Sequence, residues 1–158
     1  MRLGYDLDGV VLKQDLAVLR MIDAAGDEDK ELQSEYMTFY CKHRELLLNP
    51  LDFMADGDEL FFVTGRSLLM EEATKKWQRK YFPNATLIVT RLLMPTRDNS
   101  NYGNGALSDW NYEQAKRKAK AIIDNSIDVY FEDNPEVVMH LRVMCPNTKT
   151  VQYGGRIG

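Results

Sequence analysis

Two aspartates one residue apart, Asp6 and Asp8, end the first apolar run of the chain, and Gly9 follows them directly. Side chains at positions i and i+2 of an extended segment point to the same side of it. Their carboxylates therefore repel each other unless water or a cation offsets the charge. This short segment is a candidate site for chemistry that uses paired carboxylates.

Two further polar segments follow apolar runs in the same way, "TGR" at 64–66 and "EDN" at 132–134. In a parallel α/β sheet, ligands bind beyond the carboxyl ends of the strands. We therefore expect both segments to meet the aspartates at one edge of a sheet. Asp6, Asp8 and Asp133 would then form an oxygen-rich pocket suited to Mg²⁺. Alone, the aspartate segment is typical of a solvated turn, "TGR" is a still weaker signal, and "EDNP" is a common helix-entry sequence. Only their shared position at strand ends favours a site.

Alternating strands and helices are predicted to position these residues. Five short apolar runs are continuous rather than alternating, as in strands covered on both faces: 2–7, 59–64, 86–92, 128–131 and 148–153. Helical spacing fills the intervals 67–82, 108–125 and 134–144, with Ser108 or Asp109 as the N-cap of the second helix. This order predicts a Rossmann-like α/β fold, with a parallel sheet of about five strands flanked by helices.

One segment interrupts that alternation. Residues 13–57 contain no convincing strand and show helical stretches, so they predict a small helical cap inserted after the first strand. A chain of 158 residues otherwise fits a single domain spanning 1–158. The polar loop at 95–108 is long enough to have a functional role, which the sequence does not define.

Composition limits the classes of function. The net charge of -4 gives no reason to expect a protein that coats nucleic acid, and no apolar run is long enough to cross a membrane. Cys41 and Cys145 match no metal-ligand spacing, which predicts a reduced, cytoplasmic protein with two inert thiols. With only two histidines in the chain, a histidine-based catalytic site is not expected.

Three motifs resemble those of the haloacid dehalogenase (HAD) superfamily of phosphohydrolases. "DLDGVV" at 6–11 resembles motif I, "FFVTGR" at 61–66 resembles motif II, and "VYFEDNPE" at 129–136 resembles motif IV. They occur in the family's order over nearly the whole chain. The predicted cap also fits, because many members carry a small helical insertion after motif I.

The resemblance implies a role for each acidic residue. Asp6 would be the nucleophile that forms an aspartyl-phosphate, and Asp8 would act in turn as general acid and general base. The second aspartate favours hydrolysis of a phosphoryl ester, since dehalogenases and transport ATPases differ at that position. Mg²⁺ would be held by the Asp6 side chain, the Asp8 backbone carbonyl and Asp133.

The same resemblance implies how the phosphoryl group would be bound. Thr64 and the backbone amides near Gly65 would donate hydrogen bonds to its oxygens. Arg66 has three open roles: contact with a substrate phosphate, contact with a nucleotide, or an ion pair with a neighbouring acid. Glu132 and Asn134 would lie around the metal and its waters.

The family also requires a lysine or arginine that neutralises the aspartyl-phosphate. Helical spacing places Lys118 on one apolar stripe with Ala115, Ala119 and Ile122, which would face the sheet. The resemblance therefore implies Lys118 as the catalytic lysine, with Lys116 as the alternative.

The substrate is less well defined. The motifs are similar to those of 5′-nucleotidases and deoxyribonucleotidases, and to the 3′-phosphatase domains of polynucleotide kinases. The first implies a Mg²⁺-dependent phosphatase acting on a small phosphomonoester, most readily a nucleotide. The second implies a 3′-phosphatase on nucleic-acid ends, which a basic helix face would suit: Lys75, Lys76, Arg79 and Lys80. A catalytically retired HAD domain that serves as a binding module is the third alternative.

Overall fold

The structure is a computed structural model that describes residues 1–14, 45–66, 68–90 and 104–154, with single positions between 15 and 44. Most of the predicted cap at 13–57 lies outside the described residues, as do Cys41 and the greater part of the loop at 95–108. Within the cap range, a short 3-10 helix at Pro50–Phe53 is described. The cap therefore stays a prediction.

Five parallel strands form one sheet. They are β1 (Arg2–Tyr5), β2 (Glu59–Thr64), β3 (Thr86–Val89), β4 (Val129–Glu132) and β5 (Lys149–Gln152). The spatial order is β3-β2-β1-β4-β5, with β1 at the centre between β2 and β4. The predicted five-stranded parallel sheet is confirmed. Because the chain leaves β1 on one side and returns on the other, a crevice lies beyond the carboxyl ends of β1 and β4.

Among the described residues, three α-helices flank the sheet: α1 (Leu68–Tyr81), α2 (Asn104–Asp124) and α3 (Pro135–Met144). Asn134 caps α3, since its Oδ1 accepts hydrogen bonds from the backbone N–H groups of Glu136 and Val137 at 3.0 and 3.3 Å. The N-cap predicted for α2 at Ser108 or Asp109 is wrong, because the helix begins at Asn104. Ser108 and Asp109 lie in the second turn of the helix, where their helix propensity is low but tolerated, so their presence alone does not fix the start.

Both faces of the sheet are covered, as the continuous apolar strands predict. On one face, residues of β1, β2 and α1 form a core that includes Leu3, Phe62 and Trp77. On the other, residues of β2, β4, α2 and α3 form a second core that includes Val63 and Ile122. The part of α2 from Ala115 to Ile122 therefore contributes its inner stripe to this second core.

The sequence predicts inert cysteine thiols and no apolar run that could cross a membrane. Cys145 is a free and buried thiol. No helix among the described residues has the length and apolarity required to cross a membrane.

Candidate active site

The turn after β1 carries the two aspartates of the first motif. The strand ends at Tyr5, earlier than predicted, although the Asp6 backbone N–H still donates to the Phe131 carbonyl at 2.9 Å. Asp6 is 7% exposed, and its Oδ1 accepts a hydrogen bond from the Leu7 N–H at 2.9 Å. The nucleophile implied by the resemblance is thus held at the carboxyl end of the central strand.

Apolar residues anchor this turn beneath the carboxylates. The Leu7 carbonyl accepts hydrogen bonds from the backbone N–H groups of residues 10–12. Four side chains of this turn are fully buried: Leu7, Val10, Val11 and Leu12. Burial of four aliphatic side chains contributes roughly 1.5–3 kcal/mol each. The alternation of acidic and apolar residues in "DLDGVVL" therefore produces a rigid turn with its acids at the sheet edge.

Lys118 enters the site from α2. Its side chain is 0% exposed, and it shares the predicted buried stripe with Ala115, Ala119 and Ile122. Lys118 Nζ lies 2.6 Å from one carboxylate, that of Glu132, and 3.3 Å from a second, that of Asp6.

The alternative lysine does not reach this position. Lys116 is half exposed and its Nζ lies 3.7 Å from Glu113 Oε2 on the same helix. The 3.6-residue period of the helix explains the difference, because a shift of two positions turns a side chain away from the sheet.

The buried Lys118–Glu132 pair is charged. Burial lowers the pKa of Lys118, but the charges of Asp6 and Glu132 outweigh burial and raise that pKa above its ordinary value. Burial raises the pKa of Glu132, and the ion pair with Lys118 outweighs it in turn, so this pKa is lowered. The Tyr130 hydroxyl supports the pair by donating to Glu132 Oε2 at 3.4 Å and lies 3.3 Å from the Val63 carbonyl. Burial raises the pKa of Tyr130, which keeps it a donor.

Three carboxylates form a cluster at the crevice. Asp6, Glu132 and Asp133 each place an oxygen within 4.8 Å of the others and could hold a metal ion. Burial and then the charge of Glu132 raise the pKa of Asp6 well above its usual range, and the same causes raise the pKa of Asp133 to about 7. When all three acids are ionised, their charges and the positive charge of Lys118 sum to a net charge of -2. A divalent cation matches that surplus.

Gly9 makes the close approach of Asp133 geometrically feasible. A Cβ atom at Gly9 would lie 2.3 Å from Asp133 Oδ2, far inside van der Waals contact. The backbone φ of Gly9 is +86°, a conformation that favours glycine. The turns after β1 and β4 therefore touch at this glycine, and it brings Asp133 against the first motif.

Asp8 is engaged by an arginine from the second motif. Arg66 donates from Nε to Asp8 Oδ2 at 2.9 Å and from Nη2 to Asp8 Oδ1 at 2.8 Å. Its Nη1 donates to Thr74 Oγ1 at 3.0 Å, and that hydroxyl donates to the Met70 carbonyl at 2.7 Å. Of the three roles left open for Arg66, the structure displays the ion pair with a neighbouring acid. The Asp8 carboxylate is accordingly directed to Arg66, and the carboxylate cluster consists of the other three acids.

Thr64 and Gly65 lie at the end of β2, beside β1. Thr64 is 1% exposed, and its Oγ1 accepts a hydrogen bond from the Arg66 backbone N–H at 3.3 Å. A Cβ atom at Gly65 would lie 3.2 Å from Gln114 Nε2, so the α2 side chain covers this glycine. Gln114 precedes Lys118 by one helical turn and lies on the same side of α2.

Several polar residues around the site were missed in the sequence. Thr74 supports Arg66, Tyr130 supports Glu132, and Asn111 contacts the turn after β4. Asn111 and Gln114 precede Lys118 by seven and four residues, so helical periodicity alone could have placed them with it. No local signal links Thr74 to Arg66, because their contact depends on how α1 packs on the sheet.

Comparison with solved structures finds a similar fold in the "Structure of the Pnkp1/Rnl/Hen1 RNA repair complex". The likeness has a TM-score of 0.56 and 14% sequence identity, and it covers 99% of this chain and 43% of that chain. At this identity it shows the α/β fold alone. Neither a protein-family model nor a curated protein sequence matches the chain.

Proposed function

We propose that this chain is a Mg²⁺-dependent phosphatase of the haloacid dehalogenase type, which hydrolyses a phosphomonoester, preferentially a nucleotide. The observation that carries the proposal is the 3.3 Å contact between Lys118 Nζ and Asp6 Oδ1. A buried ammonium group in this position can neutralise the charge of a phosphorylated aspartate. The first motif points to Asp6, and helical spacing independently points to Lys118. The contact between them supports both assignments.

In the proposed reaction, an Asp6 carboxylate oxygen attacks phosphorus and the bond from phosphorus to the leaving oxygen breaks. Asp8 gives a proton to that oxygen. Water then attacks the phosphorus of the aspartyl-phosphate while Asp8 takes its proton, which releases phosphate and restores Asp6. The two hydrogen bonds from Arg66 fix the plane of the Asp8 carboxylate.

The carboxylates of Asp6 and Asp133, with the backbone carbonyl of Asp8, would hold Mg²⁺. Glu132 would remain paired with Lys118, since these side chains are 2.6 Å apart. The ion supplies positive charge that screens the anionic nucleophile from the anionic substrate. The surplus of two negative charges in the cluster supports this assignment.

Thr64, Gly65 and Arg66 would bind the phosphoryl group. The Thr64 hydroxyl accepts from a backbone N–H and so directs its own proton elsewhere, where a phosphoryl oxygen can accept it. The Gly65 backbone N–H is a second donor for the same group. Arg66 acts as a fixed positive charge beside the phosphate, because its Nε and Nη2 atoms donate to Asp8.

A 3′-phosphatase acting on nucleic-acid ends is the second candidate. It is supported by the likeness to a protein from an RNA repair complex. The basic face of α1 offers weaker support, because Lys75 and Arg79 lie 3.1 and 3.4 Å from carboxylates of their own helix. Ion pairs of this kind reduce the charge available to a phosphate backbone.

The test is phosphate release from nucleotides, other phosphomonoesters and 3′-phosphorylated oligonucleotides, with Mg²⁺ and with a chelator. Asp6→Asn removes the nucleophile with little change in volume, and Asp56→Asn, in an exposed turn, is the matched control. We expect Mg²⁺-dependent release from the native chain and the control, and none from Asp6→Asn.

The distribution of activity separates the candidates. Preference for free nucleotides supports the first, whereas preference for oligonucleotide ends that falls steeply with salt supports the second. A folded native chain that releases phosphate from none of these substrates would contradict both and favour the retired binding module. The buried carboxylate cluster argues against that module, because burying these acids costs free energy whether they stay charged or take up protons.

A further inference from the structure

A chain of amide hydrogen bonds links α2 to the turn that carries Asp133. Asn134 Oδ1 accepts from two backbone N–H groups at the start of α3, which directs its Nδ2 away from that helix. This Nδ2 donates to Asn111 Oδ1 at 3.1 Å. Asn111 Nδ2 in turn donates to Glu136 Oε2 at 2.8 Å. The contacts thus fix the orientation of both amides.

Burial makes this network structurally specific. Asn111 is 5% exposed, although asparagine is usually a surface residue. A buried amide without hydrogen-bond partners would destabilise the fold by roughly 1–3 kcal/mol, so the Asn111 amide depends on its two hydrogen bonds. Asn111 is therefore committed to the turn after β4 and to the first turn of α3.

The same helix holds the turn on its other flank. Lys118, on α2, binds Glu132, the residue before Asp133, and Asn111, also on α2, binds Asn134, the residue after it. The two contacts are seven residues apart on the helix, or about 10 Å along its axis. Both neighbours of Asp133 in the sequence are therefore hydrogen-bonded to the same helix, α2.

We propose that Asn111 is a positioning residue that holds the Asp133 carboxylate in place to bind the divalent cation. Gly9 also limits the position of Asp133, because a Cβ atom at Gly9 would lie 2.3 Å from Asp133 Oδ2. Without Asn111, Asn134 keeps its cap on α3 but loses its contact with α2, so the turn gains freedom on that flank. The carboxylate then loses entropy when the cation binds. This inference rests on the proposed Mg²⁺ site.

The test is the affinity for Mg²⁺ alone, measured by titration calorimetry on the full chain without substrate. Groups that orient metal ligands typically contribute 10–100-fold to metal affinity. For Asn111→Ala we expect an increase in Kd of about tenfold. The matched control is Asn125→Ala, which removes an amide hydrogen bond to the Ala121 carbonyl at the far end of α2. Its Mg²⁺ affinity should equal that of the native chain.

A second variant separates positioning from general damage to the fold. The exchange Asn111→Asp/Glu136→Gln keeps the net charge and reverses the donor and acceptor of the 2.8 Å hydrogen bond. It should recover an affinity within about twofold of the native chain. At saturating Mg²⁺, the control Asn125→Ala should retain the native kcat, because its amide bonds only to the far end of α2.

The outcomes are distinct. A folded Asn111→Ala chain with native Mg²⁺ affinity overturns the role of Asn111 and leaves the proposed phosphatase intact. An exchange variant that binds Mg²⁺ no better than Asn111→Ala also overturns it. If the native chain binds no Mg²⁺, the metal site of the proposed function fails, and the positioning role fails with it.

Discussion

Arg66 holds both carboxylate oxygens of Asp8, at 2.9 and 2.8 Å, from a guanidinium group that is itself buried. Its side chain is 3% exposed, while that of Asp8 is 25% exposed. The pair therefore has a fixed, interior cation and an acid that reaches the crevice. The arrangement sets the orientation of the ionised Asp8 carboxylate, which is the form that takes a proton from water in the second step of the proposed reaction.

Replacing Arg66 by lysine tests that orientation. Arg66→Lys keeps the charge but cannot reproduce two parallel hydrogen bonds, so Asp8 becomes free to rotate. We expect kcat to fall roughly 10–100-fold, which is a part of the usual contribution of a general acid. Steady-state kinetics at saturating Mg²⁺ gives the measurement, and Arg79→Lys on the exposed face of α1 is the control. Native kcat in a folded Arg66→Lys chain would refute the orienting role.

Lys118 lies between two buried carboxylates, so its removal leaves charge without compensation. Lys118→Met should lower the free energy of unfolding by about 3–5 kcal/mol, as expected when one partner of a buried ion pair is lost. The double variant Lys118→Met/Glu132→Leu removes the pair as a whole and should recover most of that loss. Urea denaturation at pH 7 measures both. A double variant no more stable than the single one would show that the pair is not the cause.

Much of the fold follows from the local pattern of residues. The continuous apolar strands and the helical stripe of Lys118 with Ala115, Ala119 and Ile122 appear in the structure as expected, because burial on a sheet selects one helix face. The start of α2 does not follow, since Ser108 and Asp109 are favoured as caps but lie in its second turn, where their low helix propensity is tolerated.

The candidate site divides in the same way. The positions of Asp6 and Asp133 at strand ends follow from where the apolar runs stop. The partner of Arg66 does not follow, because Asp8 lies 58 residues away and other acids were equally available to it in the sequence. The contact of Asn111 with Glu136 is likewise a product of how α2 packs against α3. Side-chain pairing between distant elements is set by packing, which local patterns do not encode.

Gly9 and Gly57 have nearly the same backbone conformation but different surroundings. Comparing alanine at the two positions therefore separates backbone strain from a clash with a neighbouring side chain. Gly9 and Gly57 have φ values of +86° and +88°, so alanine at either position costs roughly 1–2 kcal/mol in backbone energy. Only at Gly9 would the new Cβ also meet Asp133, whereas Gly57 has open space. Gly9→Ala should therefore weaken Mg²⁺ binding about tenfold, and Gly57→Ala should leave it unchanged. Calorimetric titration distinguishes them, and equal affinities in the two variants would contradict the contact.

The stability of the metal-free protein should depend on the ionisation of Asp133. Burial and the charge of Glu132 raise the pKa of Asp133 to about 7 in the folded chain, against an ordinary value near 4. The folded state thus binds this proton more tightly than the unfolded state. The stabilisation is complete below about pH 4 and is lost as the pH rises through about 7.

We therefore expect the native chain, in the presence of a chelator, to lose stability between pH 5 and pH 8. Asp133→Asn should lose less, by roughly 1–2 kcal/mol once screening by water at the exposed side of the carboxyl is included. Mg²⁺ favours the ionised carboxylate, so its addition should stabilise the native chain most strongly at pH 8 and Asp133→Asn much less. Urea denaturation from pH 5 to pH 8 measures these differences. Parallel pH profiles for the two chains would mean that the proton on Asp133 does not distinguish the folded from the unfolded state.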